Sequence, residues 1–218
     1  MTMKLQMTFL MLSVLTSLFA QKDEAAKRYL EKISGELDSG KALEIQFDYT
    51  REDLQDESTF EGSGTLFLME EKYKIDLGEA IIWFDGEKQY SLQTSIEEVY
   101  ISVPDPDNRE FMFSDPIRLL RNYDESFKYR LAGETDFKEK RVDEIQLFPE
   151  ELGGPYALIK LFFSQEDAML KGIFIRHKKG ILYTMDLLKM EQISPPETAF
   201  FQFNAQDYPH ADVIELLN

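Results

Sequence analysis

The chain is poor in the residue types that carry catalysis. It has two histidines, His177 and His210, and no cysteine. Neither histidine belongs to a serine and carboxylate pattern typical of a catalytic triad, and no Gly-x-Ser-x-Gly motif occurs. His177 stands among basic residues at the end of a predicted strand, which favours an exposed turn position. The sequence therefore predicts a protein that is not an enzyme.

One stretch of oxygen-rich side chains, residues 105–110, has the composition of a calcium loop. Its sequence, Asp-Pro-Asp-Asn-Arg-Glu, lacks the glycine and the ligand spacing of an EF-hand. In a chain with 41 acidic residues such clusters arise easily by chance, so a solvated loop is the favoured interpretation. We predict no metal site and no cofactor.

The charge balance excludes other classes of partner. Acidic residues number 41 and basic residues 24, for a net charge of −17. Nucleic-acid binding depends on Lys and Arg that neutralise phosphates, so this surface argues against it. It also disfavours adhesion to anionic membrane surfaces. The same charge could serve only to keep the chain soluble.

The first twenty residues have the pattern of an export signal. Lys4 is their only charge, an apolar run follows over residues 7–15, and Ala20 is a small residue at the expected cleavage point before Gln21. The run is shorter than the roughly 18 residues a membrane-spanning helix needs, although a retained anchor is the alternative. Without a cysteine there, we expect no lipid anchor. Residues 21–218 are predicted to form one domain.

Periodicity predicts one helix followed by many strands. Over residues 22–38, Ala26, Leu30, Ile33 and Leu37 share one apolar face, and Gly40 ends the helix. Alternation with a period of two then begins. The predicted strands are 43–49, 59–69, 73–77, 80–84, 88–92, 97–103, 127–133, 142–148, 156–163, 172–177 and 181–190, with a possible strand at 213–217. A short central helix is predicted after Asp115-Pro116.

This order predicts a mainly β fold (α+β) of about eleven antiparallel strands that form a curved sheet, a barrel or a sandwich. A barrel of that many strands encloses more space than its own side chains fill, and two apolar helices could cover the space. A filled sandwich with two helices packed on it fits the pattern equally well.

Two local features bear on this choice. Gly62 and Gly64 lie within the second strand and indicate a bend or a close backbone approach. Trp83, the only tryptophan, lies in the continuous apolar run Ile81–Phe84. That run is either a fully buried core strand or a strand of which one parity lines a ligand cavity.

Four stretches of the chain carry a family resemblance: Tyr29–Ser34, Glu61–Ile75, Ile81–Tyr90 and Phe201–Pro209. They correspond to Leu-x-Lys-Ile-Ser, to Gly-x-Gly-x-Leu with Lys-Tyr-Arg, to a strand ending in Asp-Gly before an aromatic residue, and to Phe-x-Phe-Asp with Tyr-Pro. In this order the sequence resembles the periplasmic outer-membrane lipoprotein carrier (LolA-like) family in its Bacteroidetes-type form.

The resemblance implies an incomplete antiparallel β-barrel of about eleven strands, with the N-terminal helix and the short central helix as a lid. Its apolar cavity would bind the acyl chains of lipoproteins in the periplasm. An inner-membrane lipoprotein-releasing transporter would load the carrier, and an outer-membrane acceptor would unload it. We expect a monomer. The alternative is a periplasmic sensor that binds lipid or lipoprotein without transferring it.

The resemblance assigns Leu30 to the lid and Tyr73 to the cavity mouth, where substitution by Glu is expected to reduce cargo uptake without unfolding the protein. The predicted cavity and lid residues are Leu30, Ile33, Ile45, Phe47, Leu66, Leu68, Tyr73, Ile75, Ile82, Phe84, Tyr90 and Leu120. One departure matters. Where the enterobacterial members of the family place an arginine that holds the lid closed, this chain has Glu70 and Glu71, so another residue or apolar contact must serve.

Overall fold

A computed structural model describes residues 22–37, 39–104, 120–121, 123–151 and 153–216. The predicted signal peptide, the acidic stretch 105–110 and the start of the predicted central helix lie outside the described residues. Among those described, no helix is long and apolar enough to cross a membrane.

Twelve strands and two α-helices make up the described fold. The helices are α1 (Glu24–Leu37) and α2 (Tyr123–Ser126), and a 3₁₀ turn covers Thr198–Phe201. The strands are β1 (Ala42–Asp53), β2 (Ser58–Met69), β3 (Lys72–Asp76), β4 (Ala80–Phe84), β5 (Gln89–Gln93), β6 (Glu98–Ser102), β7 (Phe127–Phe137), β8 (Lys140–Pro149), β9 (Tyr156–Ser164), β10 (Leu170–His177), β11 (Ile181–Ile193) and β12 (Asp212–Glu215).

All twelve strands belong to one sheet, in the order β12-β6-β5-β4-β3-β2-β1-β11-β10-β9-β8-β7. Every neighbouring pair is antiparallel except β12 and β6, which are parallel. The sheet does not close, because β12 and β7 are both edges. The prediction of a mainly β fold with an incomplete barrel is confirmed, and the predicted tail strand is the twelfth.

The two faces of the sheet bury different side chains because residues alternate along each strand. One face, here called the cavity face, packs under α1, whose apolar stripe Ala26, Leu30, Ile33 and Leu37 is fully buried. On the opposite face, Trp83 is buried by the chain that follows β11 and lies 5.8 Å from the rings of both Phe203 and Tyr208. Ile82, of the other parity, packs in the core beneath α1, so the interpretation of this run as a core strand is confirmed, whereas no residue of Ile81–Phe84 lines the cavity described below.

Gly62 and Gly64 mark a close approach between β1 and β2. Their cross-strand partners are Tyr49 and Phe47. A Cβ atom at Gly64 would lie 2.6 Å from Cζ of Phe47, and one at Gly62 would lie 2.8 Å from the Tyr49 ring. The two aromatic rings thus lie directly over the β2 backbone, where only glycine leaves room for them.

Candidate functional site

A small cavity lies between α1 and the cavity face of the sheet, with about 50 Å³ of unfilled space. Its walls come from α1, Leu120 of the central segment, and strands β1, β2, β3, β10 and β11. The described side chains that line it are all apolar: Ile33, Leu37, Ile45, Phe47, Leu66, Ile75, Leu120, Leu170, Ile173, Met185, Leu187 and Met190. Apolar cavities of this kind stay dry and accept apolar guests.

A bulge in β11 keeps the wall of the cavity apolar. Phe47 pairs with Leu187 and Gln46 pairs with Lys189, so Leu188 has no partner on β1. This extra residue shifts the alternation, and Leu187 and Met190 both line the cavity. Strict alternation from Leu187 would instead point Lys189 inward.

The neighbouring strand β10 also has a one-residue bulge. Its register against β9 shifts between Leu170 and Gly172, which leaves Lys171 as the extra residue. Leu170 and Ile173 consequently face the cavity together although they are three positions apart. Two adjacent strands therefore each keep a lysine out of the apolar wall by a one-residue bulge.

The structure brings together eleven of the twelve predicted cavity and lid residues: ten belong to one buried cluster, and Phe84, half-buried, packs against it. Six line the cavity: Ile33, Ile45, Phe47, Leu66, Ile75 and Leu120. Five pack in the surrounding core: Leu30, Leu68, Tyr73, Ile82 and Phe84.

Tyr90 is the exception, and its predicted position in the cavity is corrected. It is the cross-strand partner of Trp83, and directly paired side chains lie on the same face of a sheet. Because Trp83 faces away from the cavity, Tyr90 does too, and its ring stacks on Phe203 at 6.0 Å. The hairpin register, which the sequence does not reveal, decides this placement.

Five lining residues were missed, namely Leu170, Ile173, Met185, Leu187 and Met190. Leu37 was recognised on the buried face of the helix but was not assigned to the cavity. A signal for the β11 residues exists in the run Leu187-Leu188-Lys189-Met190, where two leucines followed by a lysine break the alternation. Such a break indicates a bulge.

Arg121 joins α1 to the turn that follows β2. Its Nη2 donates to the carbonyl oxygens of Leu37 and Glu70, at 2.9 Å each, and its Nη1 donates to Oε1 of Glu71 at 2.8 Å. Only 12% of the Arg121 side chain is exposed, against 80% for Glu71. Arg121 therefore reaches the turn that holds Glu70 and Glu71 from the central segment and ties the end of α1 to it.

The middle of α1 contacts strands β8 and β9. Tyr29 donates its hydroxyl to Oδ2 of Asp143 at 2.5 Å, and its ring lies 5.1 Å from that of Phe163. The hydrogen bond to the Asp143 carboxylate, together with burial, raises the pKa of Tyr29. Lys32 donates to the carbonyl oxygen of Asp167 in the β9–β10 turn. Helix α1 is therefore held on both sides of the cavity. Arg121 fixes it on one side, at the turn after β2, and Tyr29 and Lys32 fix it on the other, at β8 and the β9–β10 turn.

Leu30 and Tyr73 are too deeply buried for the expected Glu substitutions. Leu30 is 0% exposed and Tyr73 is 2% exposed. The Tyr73 hydroxyl also donates to Oε1 of Gln89 at 3.0 Å. A carboxylate at either position would be buried without a partner, which costs several kcal/mol. We therefore expect both substitutions to destabilise the fold, so that reduced cargo uptake alone would not assign these residues to the lid and the mouth.

His177 packs within a turn between β10 and β11. His177 is only 7% exposed, which corrects the expected exposed position. Its Nδ1 accepts a hydrogen bond from the Lys179 amide at 3.1 Å inside the turn, and its ring packs edge-on against Tyr156. Within the part of the chain that the structure describes, no group of three His, Asp or Glu side chains could hold a metal ion.

No protein-family model and no curated protein sequence matches this chain. Solved structures do resemble it. An uncharacterized conserved protein from Thermus thermophilus is similar over 88% of this chain and 98% of its own, with a TM-score of 0.54 and 11% identity. A LolA superfamily protein from Nitrosomonas europaea has a TM-score of 0.42 and 10% identity over 81% of this chain and 97% of its own.

LprF from Mycobacterium bovis has a TM-score of 0.42 and 11% identity, over 82% of this chain and 99% of its own. At such low identity, the likeness to the Thermus thermophilus structure shows a shared fold.

Proposed function

We propose that this protein is a LolA-like carrier that is exported to the periplasm and binds the acyl chains of lipoproteins in the cavity beneath α1. It receives them from an inner-membrane lipoprotein-releasing transporter and delivers them to an outer-membrane acceptor. It is not an enzyme. The observation that carries the proposal is a cavity whose lining side chains are all apolar, covered by a helix that is bonded to the sheet at its rims.

The chemistry of the lining matches an acyl chain. Each methylene that leaves water contributes about 0.8 kcal/mol, so a long chain gains several kcal/mol in an apolar pocket. Among the described residues that line the cavity, no polar side chain would need a hydrogen-bonding ligand. An acyl chain fits this requirement better than a sugar, a nucleotide or a peptide does.

The size of the cavity indicates that the described state is closed. One water needs about 10–15 Å³ of such space, so 50 Å³ holds only a few small groups. A whole acyl chain requires α1 to move away from the sheet. The polar contacts of Arg121 and Tyr29 lie at the rims and can be exchanged for water. A carrier that must release its cargo needs a lid of this reversible kind.

Native mass spectrometry of the protein purified from the periplasm tests the proposal. A bound diacylated or triacylated lipoprotein is the expected result, and its transfer to acceptor membranes should follow. Bound free lipid without lipoprotein would support a lipid-binding sensor instead. Protein that is empty and takes up no fatty acid would refute both.

A further inference from the structure

The strand β11 has an unpaired edge beside the cavity. β10 pairs with it only through Gly172–Arg176, opposite Leu182–Asp186. β11 nevertheless continues to Ile193, and there it is paired with β1 alone. Among the residues that the structure describes, no backbone group bonds to the other side of 187–193.

The ladder also indicates which groups point to this edge. The Leu54 amide donates to the Gly180 carbonyl at 3.0 Å, one step beyond the end of the β1–β11 ladder. Even-numbered residues of β1 therefore direct their backbone groups toward β11, because the direction alternates along an antiparallel strand. Glu44 is one of these residues, and its partner on β11 is Glu191, so the N–H and C=O groups of Glu191 point to β1. Those of its two neighbours, Met190 and Gln192, consequently point to the unpaired edge.

The two terminal edges of the sheet, at β7 and β12, are protected. At β7 the amide of Asp23 donates to the Tyr129 carbonyl at 3.2 Å, and the Asp23 carboxylate accepts from the Leu131 amide at 3.0 Å. At the other end, β12 is only four residues long and begins and ends with an acidic residue. Short, charged or covered edges are how sheets avoid pairing with other chains.

We propose that the edge of β11 from Leu187 to Ile193 pairs with the extended polypeptide that directly follows the acylated residue of the cargo. This inference rests on the proposed function. Met190 lines the cavity with its side chain and presents its backbone to the edge, so the acyl and peptide parts of one ligand would meet at a single residue. Leu188, exposed at 57%, lies on the same stretch as an apolar contact for the peptide.

This arrangement suits a carrier with many cargoes. Strand addition uses main-chain hydrogen bonds, which every polypeptide offers, whereas side-chain pockets would select one sequence. Pairing with β11 adds affinity and holds the peptide that follows the acylated residue in an extended form. Recognition then depends on the acyl group and on an unfolded segment next to it, both of which lipoproteins share.

The variant Gln192→Pro tests the inference. Gln192 is exposed, and proline is tolerated on an edge strand where the N–H faces away from the sheet. The substitution removes one edge donor and obstructs strand addition. The matched control, Gln192→Ala, keeps the donor. The two probes are a synthetic peptide with an N-terminal diacylglyceryl cysteine and a free fatty acid of the same chain length.

We expect Gln192→Pro to raise the Kd of the lipopeptide roughly tenfold and to leave the Kd of the fatty acid unchanged. Gln192→Ala should match the wild type with both probes. Hydrogen exchange of the wild type supplies a second readout that needs no variant. The amides of Met190 and Gln192 should gain protection with the lipopeptide and not with the fatty acid.

An unchanged lipopeptide Kd in Gln192→Pro, or no added protection at these two amides, would overturn the edge inference while fatty-acid binding still supports the carrier. A wild-type protein that binds neither probe would refute the proposed function and the inference together.

Discussion

The Nη2 atom of Arg121 lies 2.9 Å from the carbonyl oxygen of Leu37, the last residue of α1. The last carbonyls of a helix lack partners inside the helix and carry a partial negative charge. Helix α1 has no basic residue in its own last turn. Arg121 supplies that charge from the central segment and ties the helix end to the turn after β2 through Glu70.

We therefore expect Arg121→Ala to loosen the C-terminal half of α1. A charge-assisted hydrogen bond of this kind contributes about 1.5–3 kcal/mol to stability, and the contributions of bonds made by one side chain do not simply add. The free energy of unfolding should fall by an amount in this range, and a bound fatty acid should dissociate faster. Denaturant titration and stopped-flow release of a fluorescent fatty acid measure the two effects.

The matched control for this variant is Glu71→Gln. It weakens only the ion pair on the exposed side, where 80% of the Glu71 side chain is in solvent. Exposed pairs contribute about 0–1 kcal/mol. Equal losses in the two variants would contradict the assignment of the lid contact to the backbone carbonyls of Leu37 and Glu70.

The glycine at position 64 should be intolerant of even one added methyl group. In Gly64→Ala the new Cβ would lie 2.6 Å from Cζ of Phe47, a buried ring with little freedom to move. Overpacking of this kind costs about 1–3 kcal/mol. Gly35 in α1 is the control, because a Cβ there meets nothing within 4 Å. Gly35→Ala should stabilise the helix by about 0.5–1 kcal/mol.

Thermal denaturation of both alanine variants measures these opposite changes. A double variant that combines Gly64→Ala with Phe47→Leu should recover part of the loss, since the smaller side chain makes room. If Gly64→Ala were as stable as the wild type, the close packing of Phe47 on β2 would be contradicted.

The succession of helix and strands along the chain is largely readable in the sequence, because alternation and turn residues are local signals. Helix α1 and all twelve strands overlap predicted segments, whereas the pairing of β1 with β11 is not a local feature. The burial of β4 on both of its faces is harder to predict from the sequence. Ile82 packs toward the cavity while Trp83 is covered by Phe203 and Tyr208 from far along the chain. Only tertiary contact decides which parity of a continuous apolar run meets the cavity.

The candidate site shows the same limit. The residues of regular strands, such as Ile45 and Phe47, follow from alternation. Leu170 and Met190 do not, because bulges place them on the cavity face out of phase with their strands. The role of Arg121 was equally inaccessible, since its partners at Leu37 and Glu70 are 84 and 51 residues away in the chain. Neither the register between strands far apart in the sequence nor the distant contacts of a long side chain leaves a local pattern in the sequence.

Asp23 should make the attachment of α1 sensitive to acid. Its Oδ2 accepts from the Leu131 amide and its Oδ1 accepts from the Ala25 amide in the first turn of the helix. The hydrogen bond from Leu131 holds the pKa of Asp23 below its usual value of 3.8. A lowered folded-state pKa stabilises the fold above the unfolded-state value, and this contribution disappears as pH falls through the folded-state pKa.

In the variant Asp23→Asn the amide oxygen can accept one of the two hydrogen bonds, the Nδ2 group cannot accept the other, and the side chain does not titrate. Wild type should exceed Asp23→Asn in stability at neutral pH, and the part of the gap that is due to the charge should disappear below about pH 4. Urea titrations across this range compare the two proteins directly. A gap that stayed constant with pH would show that the Asp23 charge contributes nothing to the attachment.

Adjacent leucines in β11 offer the sharpest test of the cavity. Leu187 lines it, whereas Leu188 is the bulged residue and is 57% exposed. Leu187→Phe should place part of its ring in space that is already unfilled, so we expect a stability change below about 1.5 kcal/mol. The same ring should compete with a fatty acid for the cavity and weaken its binding roughly tenfold. Leu188→Phe should bind as the wild type does.

Isothermal titration calorimetry with one fatty acid compares the two variants. Both replace leucine by phenylalanine at adjacent positions, so a difference in binding reflects the position and not the chemistry of the substitution. Weaker binding in Leu187→Phe alone would support both the cavity and the bulge that orients its wall. Equal binding in both variants would place the acyl chain elsewhere, because a ring inside the true site must displace part of the ligand.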